Sequence, residues 1–132
     1  MSKITITLSD LQLLHDASAK CLTEELDDYK LRIAFAYFKR DVEHNLGNDS
    51  PFQKVRNDIF VKYGTPTENG FSLPEDAEKR RLLLSGLEAA LSEKVSVRFP
   101  ELTEEIIEKA KLPMNASSLS VLVALEILKE TE

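Results

Sequence analysis

Two histidines, one cysteine and a few small clusters of charge are the side chains in this 132-residue chain that invite a chemical reading. His15 falls one residue from Leu14 on an apolar helical stripe. His44 lies near a helix end, where a cation is mildly favoured by the helix dipole. Neither has a second ligand at the spacing a metal site needs. Cys21 would act as a nucleophile only with a distant histidine. Its place on the same apolar stripe reads better as a small buried hydrophobe. Glu104, Glu105 and Glu108 could hold a cation, but acids in the first turn of a helix already complement its dipole. No Gly-rich loop precedes a helix, so nothing here cradles a phosphate. The inventory points away from an enzyme, and no metal or cofactor is expected.

Two further groupings suggest binding rather than catalysis. The first is basic. Lys39 and Arg40 close one helix, Lys54 and Arg56 open the next, and Lys79, Arg80 and Arg81 begin another. If those helix ends converge, they form a phosphate-facing patch, with Tyr37 and Tyr63 available for stacking. Residues 29–66 carry seven basic and four acidic groups, whereas the whole chain has a net charge of −6. That acidic whole argues against non-specific nucleic-acid binding, and the bland reading of the centre is a solvated helix face. Nucleic acid is therefore the alternative partner.

The second grouping is apolar. From Leu119 to Leu128 every residue is apolar except Ser120 and Glu126. Ten residues are too few to span a bilayer. The plainer reading is a closing core helix. The sharper one is a helix that docks on another protein or on a second copy of the chain, through Leu122, Leu125 and Leu128 with Val121 beside them.

The elements that would position these groups follow from periodicity and caps. Lys3-Ile4-Thr5-Ile6-Thr7-Leu8 and Val95-Ser96-Val97-Arg98-Phe99 alternate polar and apolar, as half-buried strands do. Two lone strands in a helical chain are expected to pair, in a direction the sequence leaves open. Ser9-Asp10-Leu11-Gln12 reads as a capping box for a first helix. Asp27 or Asp28 caps a second, whose residues Leu31, Phe35, Phe38, Val42 and Leu46 line one face. Ile33, Ala34, Ala36 and Tyr37 widen that face until the helix looks central. Ser50-Pro51-Phe52-Gln53 and Ser72-Leu73-Pro74-Glu75 read as two more capping boxes. Between them, Thr65 to Gly70 is the clearest loop. Leu83, Leu84, Leu87, Ala90 and Leu91 give a fourth helix, which tolerates Gly86 inside it. Thr103 caps a fifth, and Pro113 ends it.

The expected fold is α+β and mainly helical: a single domain over residues 1–132, with about six helices and one small two-stranded sheet pairing residues 3–8 with 95–99. Its core would gather Phe35, Phe38, Leu84, Leu87 and the terminal helix. The length is enough for such a core without disulfides or metal. A single cysteine, no signal-like segment and no membrane span suggest the cytoplasm.

Three stretches together resemble a small uncharacterised family encoded by tailed phages and prophages. They are Ile4-Thr5-Ile6-Thr7-Leu8-Ser9-Asp10-Leu11, the run from Phe52 to Lys62-Tyr63-Gly64, and Glu68-Asn69-Gly70. The resemblance covers most of residues 3–100 and brings no catalytic residues. It implies a small accessory protein made inside the infected host; action through protein contacts or self-association is what the apolar terminal segment suggests.

Overall fold

The fold is α+β and mainly helical. A computed structural model describes residues 2–128. In chain order the elements are β1 (Ser2–Thr7), α1 (Leu8–Ala17), α2 (Ala19–Thr23), α3 (Tyr29–Leu46), α4 (Pro51–Tyr63), β2 (Thr65–Thr67), β3 (Gly70–Ser72), α5 (Ala77–Leu91), β4 (Lys94–Phe99), α6 (Glu104–Ala110) and α7 (Ala116–Ala124).

The two alternating segments do pair. β1 and β4 are antiparallel, with Ser2 opposite Phe99, Ile4 opposite Val97 and Thr7 opposite Lys94. Leu8 belongs to the helix rather than the strand. Thr7 ends β1 and also caps α1, its hydroxyl accepting from the Asp10 N–H at 3.1 Å. The cap is thus two residues earlier than the Ser9 box predicts. A strand running straight into a helix leaves only its last residue free to cap.

Side chains alternate across a strand, so Val97 and Phe99 share one face of β4. Both are buried, as are Leu11, Leu14, Phe35 and Phe38. Phe99 stands edge-on to Phe35 (5.7 Å between centroids) and to Phe38 (4.8 Å). Edge-to-face pairs of this kind add about 0.5–1.5 kcal/mol beyond the area they bury. Leu122 and Leu128 close the same core from the C-terminal side.

Helix α3 is anchored by the Asp28 carboxylate, which accepts from the Leu31 N–H at 3.1 Å. It is less central than its composition suggests, because Ile33 and Tyr37 are exposed. The core covers only the Leu31–Ala34–Phe35–Phe38–Val42 stripe.

Helices α4 and α5 form an arm. Ile59 packs on Gly86, its Cδ1 3.3 Å from where a β-carbon would stand. The segment expected to be a loop is instead a small antiparallel hairpin, β2 with β3, turning at Glu68-Asn69. Gly70 has a φ of +140°, a conformation L-residues rarely adopt, which explains the glycine there. The helix after it is capped by Asp76, which accepts from the Lys79 N–H at 2.9 Å, and not by Ser72. Only Phe52, Pro74 and Leu83 are buried among the 41 residues from Pro51 to Leu91. Leu83 takes the core position and Leu84 is 48% exposed, a correction to the expected core. One residue along a helix rotates a side chain by about 100°.

Candidate interaction surface

The residues with chemical potential do not converge. His15 stands 3.6 Å from the Asp16 carboxylate at the rim of a groove between α1 and α3. That groove, about 430 Å³, is also lined by Gln12, Val42, Glu43 and Leu46. Among the described residues no group of three or more histidine, cysteine or acidic side chains could hold a metal ion. Cys21 is buried, and its thiol is pushed up to about 11 by that burial and then by the Glu24 charge. A thiol held protonated at neutral pH is a poor nucleophile. Glu105 pairs with Lys109 at 2.8 Å on the open surface of α6, and Glu104 and Glu108 are exposed.

The basic set is split by the arm. Because α4 and α5 run antiparallel, Lys54 and Arg56 lie near its base while Arg80 and Arg81 lie near its outer end. With Ile59 level with Gly86, the two groups are about ten residues apart along the helix axes, or roughly 15 Å. Several of these cations are also engaged locally. The Arg56 guanidinium lies 4.8 Å from the Phe60 ring centroid. Arg80 donates to the Pro74 carbonyl, and Arg81 pairs with Glu78 in its own helix turn. Lys39 and Arg40 are exposed on α3. The expected single patch required those helix ends to converge, but Lys39 and Arg40 lie within α3, which runs on to Leu46, and the arm holds Lys54 and Arg56 apart from Arg80 and Arg81.

The terminal apolar helix is also different from the docking helix of the sharper reading. α7 stops at Ala124, and Glu126 adopts a left-handed turn with φ of 60°. The chain folds back so that the Ile127 and Leu128 N–H groups both reach the Leu122 carbonyl. Leu122 is fully buried and Leu128 nearly so. Val121 and Leu125 are half-buried. Leu122 and Leu128 are therefore part of this chain's own core and present no face to a partner.

The exposed apolar side chains are most numerous elsewhere. Half of the ten exposed large hydrophobic residues sit on the arm: Val55, Val61, Phe71, Leu73 and Leu84. Two residues outward from the Ile59–Gly86 contact, Val61 and Leu84 are level along the axes, but each stands about 200° round its helix from that contact, so they face opposite sides of the arm. Phe71 and Leu73 follow just beyond, on and after the hairpin, all six of whose strand residues are exposed. Lys62 lies over the Tyr63 ring at 5.2 Å. The sequence hid these residues because each fits an amphipathic pattern, and only the folded arrangement shows that no other described element covers them.

A second feature escaped sequence reading. Asp41 of α3 accepts from the Arg98 backbone N–H (2.8 Å), its Nε (2.9 Å) and a terminal guanidinium nitrogen (2.7 Å). The guanidinium also lies 4.4 Å from the Tyr37 ring centroid. Hydrogen bonds from the Arg98 side chain, foremost, hold the Asp41 carboxyl below its ordinary range. This arrangement clamps β4 to α3.

No family model, curated protein or solved structure matches the chain. No helix among the described residues is long and apolar enough to cross a membrane.

Proposed function

We propose that the chain is a small non-catalytic accessory protein, of the phage or prophage kind its sequence resembles, that works by protein–protein contact. One observation carries the reading: half of the large apolar side chains left exposed among the described residues lie on the arm, with Val61, Phe71, Leu73 and Leu84 toward its outer end. Uncovered aliphatic and aromatic side chains mean an interaction site when they cluster and little when they are scattered. The arm's own charge is balanced, six basic against six acidic groups between residues 51 and 91, while the rest of the chain carries the net −6. An approaching protein surface thus meets the least repulsion there.

A photo-crosslinking amino acid placed at Val61 or Phe71 in producing cells tests this. The expected result is one discrete adduct from both positions and none from Glu68 at the hairpin turn. The same pattern from all three positions, or no adduct, overturns the reading.

A further inference from the structure

We propose that the protein forms a twofold-symmetric dimer by pairing β1 with β1 of a second copy, which joins the two small sheets into one of four strands. The inference does not rest on the arm.

The hydrogen-bond parity of the sheet leads to it. In an antiparallel ladder, opposite residues alternate between pairs that exchange hydrogen bonds and pairs that do not. The Leu8 N–H donates to the Glu93 carbonyl at 2.9 Å, one step beyond the Thr7–Lys94 pair. The hydrogen-bonded pairs are therefore those of Ile6, Ile4 and Ser2 with Val95, Val97 and Phe99. The N–H groups of Lys3, Thr5 and Thr7 point the other way, as do the carbonyls of Lys3 and Thr5. The opposite edge of the sheet confirms this parity. Arg98 faces Lys3 in a non-bonded pair, so its N–H also points outward, and there Asp41 accepts it. Thus β4's outer edge is capped by a carboxylate. β1's outer edge has no backbone partner among the described residues. Lys3 and Thr5 are exposed on it. An open strand edge is a template for an extended chain.

The edge borders a groove of about 360 Å³, whose lining includes Ile4, Ile6, Leu125, Ile127, Glu101 and Glu126. Its floor is apolar and its charged members are both acidic. An incoming strand should therefore bring aliphatic side chains on one face and no carboxylate. The strand Ser-Lys-Ile-Thr-Ile-Thr of a second copy meets both conditions, since Lys3 is its only charge.

It is also complementary to itself. With Thr5 on the twofold axis, Thr5 faces Thr5, Ile4 faces Ile6, and Lys3 faces Thr7. No like charges oppose one another, and two isoleucine pairs fall on the groove side of the sheet. Cross-strand pairs of these types are favourable. Twofold pairing is the commonest form of self-assembly, and two-stranded sheets gain most from extension.

The test combines sedimentation or light scattering across a concentration series with amide hydrogen exchange, on the intact chain and on Thr5→Pro. Proline removes the outward N–H but no bond to β4, so the fold should persist by circular dichroism. A dimer is expected for the intact chain, with dissociation at least about tenfold easier in the variant. The Thr5 amide should exchange more slowly as concentration rises. A monomer at every concentration overturns the proposal, as does a dimer that survives in folded Thr5→Pro. A Thr5 amide already protected in the monomer overturns it too, because the chain then covers its own edge. If Thr5→Pro does not fold, the exchange of Thr5 in the intact chain decides alone. Arm substitutions such as Val61→Ser should leave the dimer unchanged, which separates this inference from the proposed function.

Discussion

Asp41 takes three hydrogen bonds from a residue 57 positions away, and few single side chains in this molecule bridge such a separation. Its side chain is only 18% exposed and that of Arg98 31%, so the pair is sheltered enough to matter. Asp41→Asn keeps the shape but removes the charge, and should cost about 1–3 kcal/mol in urea unfolding at pH 7. The pH dependence has a definite sign. The carboxyl is held below its ordinary range in the folded chain, so its contribution is present above the unfolded-state value. It is lost as pH falls through the acid range. The gap between the two proteins should narrow between about pH 5 and pH 2. An equal gap at pH 7 and pH 3 would mean the charge plays no part. Lys111 offers a second residue-scale prediction. It ends α6 in the left-handed region, with φ of 50°. That conformation costs a residue with a β-carbon about 1 kcal/mol. Lys111→Gly should raise the unfolding midpoint by an amount worth about 0.5–1 kcal/mol.

The elements were legible to very different degrees. Pairing of the two alternating segments could be anticipated because period two is unambiguous and each lacked any other partner. Ser50, Thr103 and Asp28 cap where their types and positions indicate. Other boundaries moved for local reasons. Ser72 gave way to Asp76 because Ser72 is the last residue of β3 and the helix begins only at Ala77. α7 ended early because the fold-back of Ile127 and Leu128 satisfies the Leu122 carbonyl twice over. The Asn69-Gly70 signal marked a turn within one residue of its observed place at Glu68-Asn69, but the flanking segments of three residues each were too short to show alternation. Gly86 illustrates what sequence alone leaves unexplained. Glycine inside a helix costs roughly 1 kcal/mol relative to alanine. Here it admits Ile59 from the facing helix. Gly86→Leu should therefore separate the arm helices and destabilise by about 1–3 kcal/mol. Gly86→Ala should be close to neutral, because better helix propensity offsets a small displacement of the isoleucine tip. A Leu variant as stable as the parent by thermal melting would show that the two helices do not meet there.

At the scale of the whole molecule, the candidate site was the least readable part. Sequence can nominate apolar or basic groups, but which of them remain uncovered depends on how the helices stack. Leu84 lost its expected place in the core to Leu83 on that account alone. The chain also keeps its two proposed contact regions on different elements, the outer arm and the edge of β1.

Ser2 sits opposite Phe99, so the first residues of the chain wait for nearly the last third before their ladder can close. At about 5–20 residues per second of synthesis, that wait is on the order of 5–20 seconds. During it the Ile4-Thr5-Ile6 segment lacks its β4 partner and is open along both edges to any extended peptide nearby. A ribosome-bound chain stalled before Lys94 should be cleaved readily by a protease near its N-terminus. One released from the exit tunnel past Phe99 should resist. The order in which this protein is made thus sets a window of exposure that its finished fold conceals.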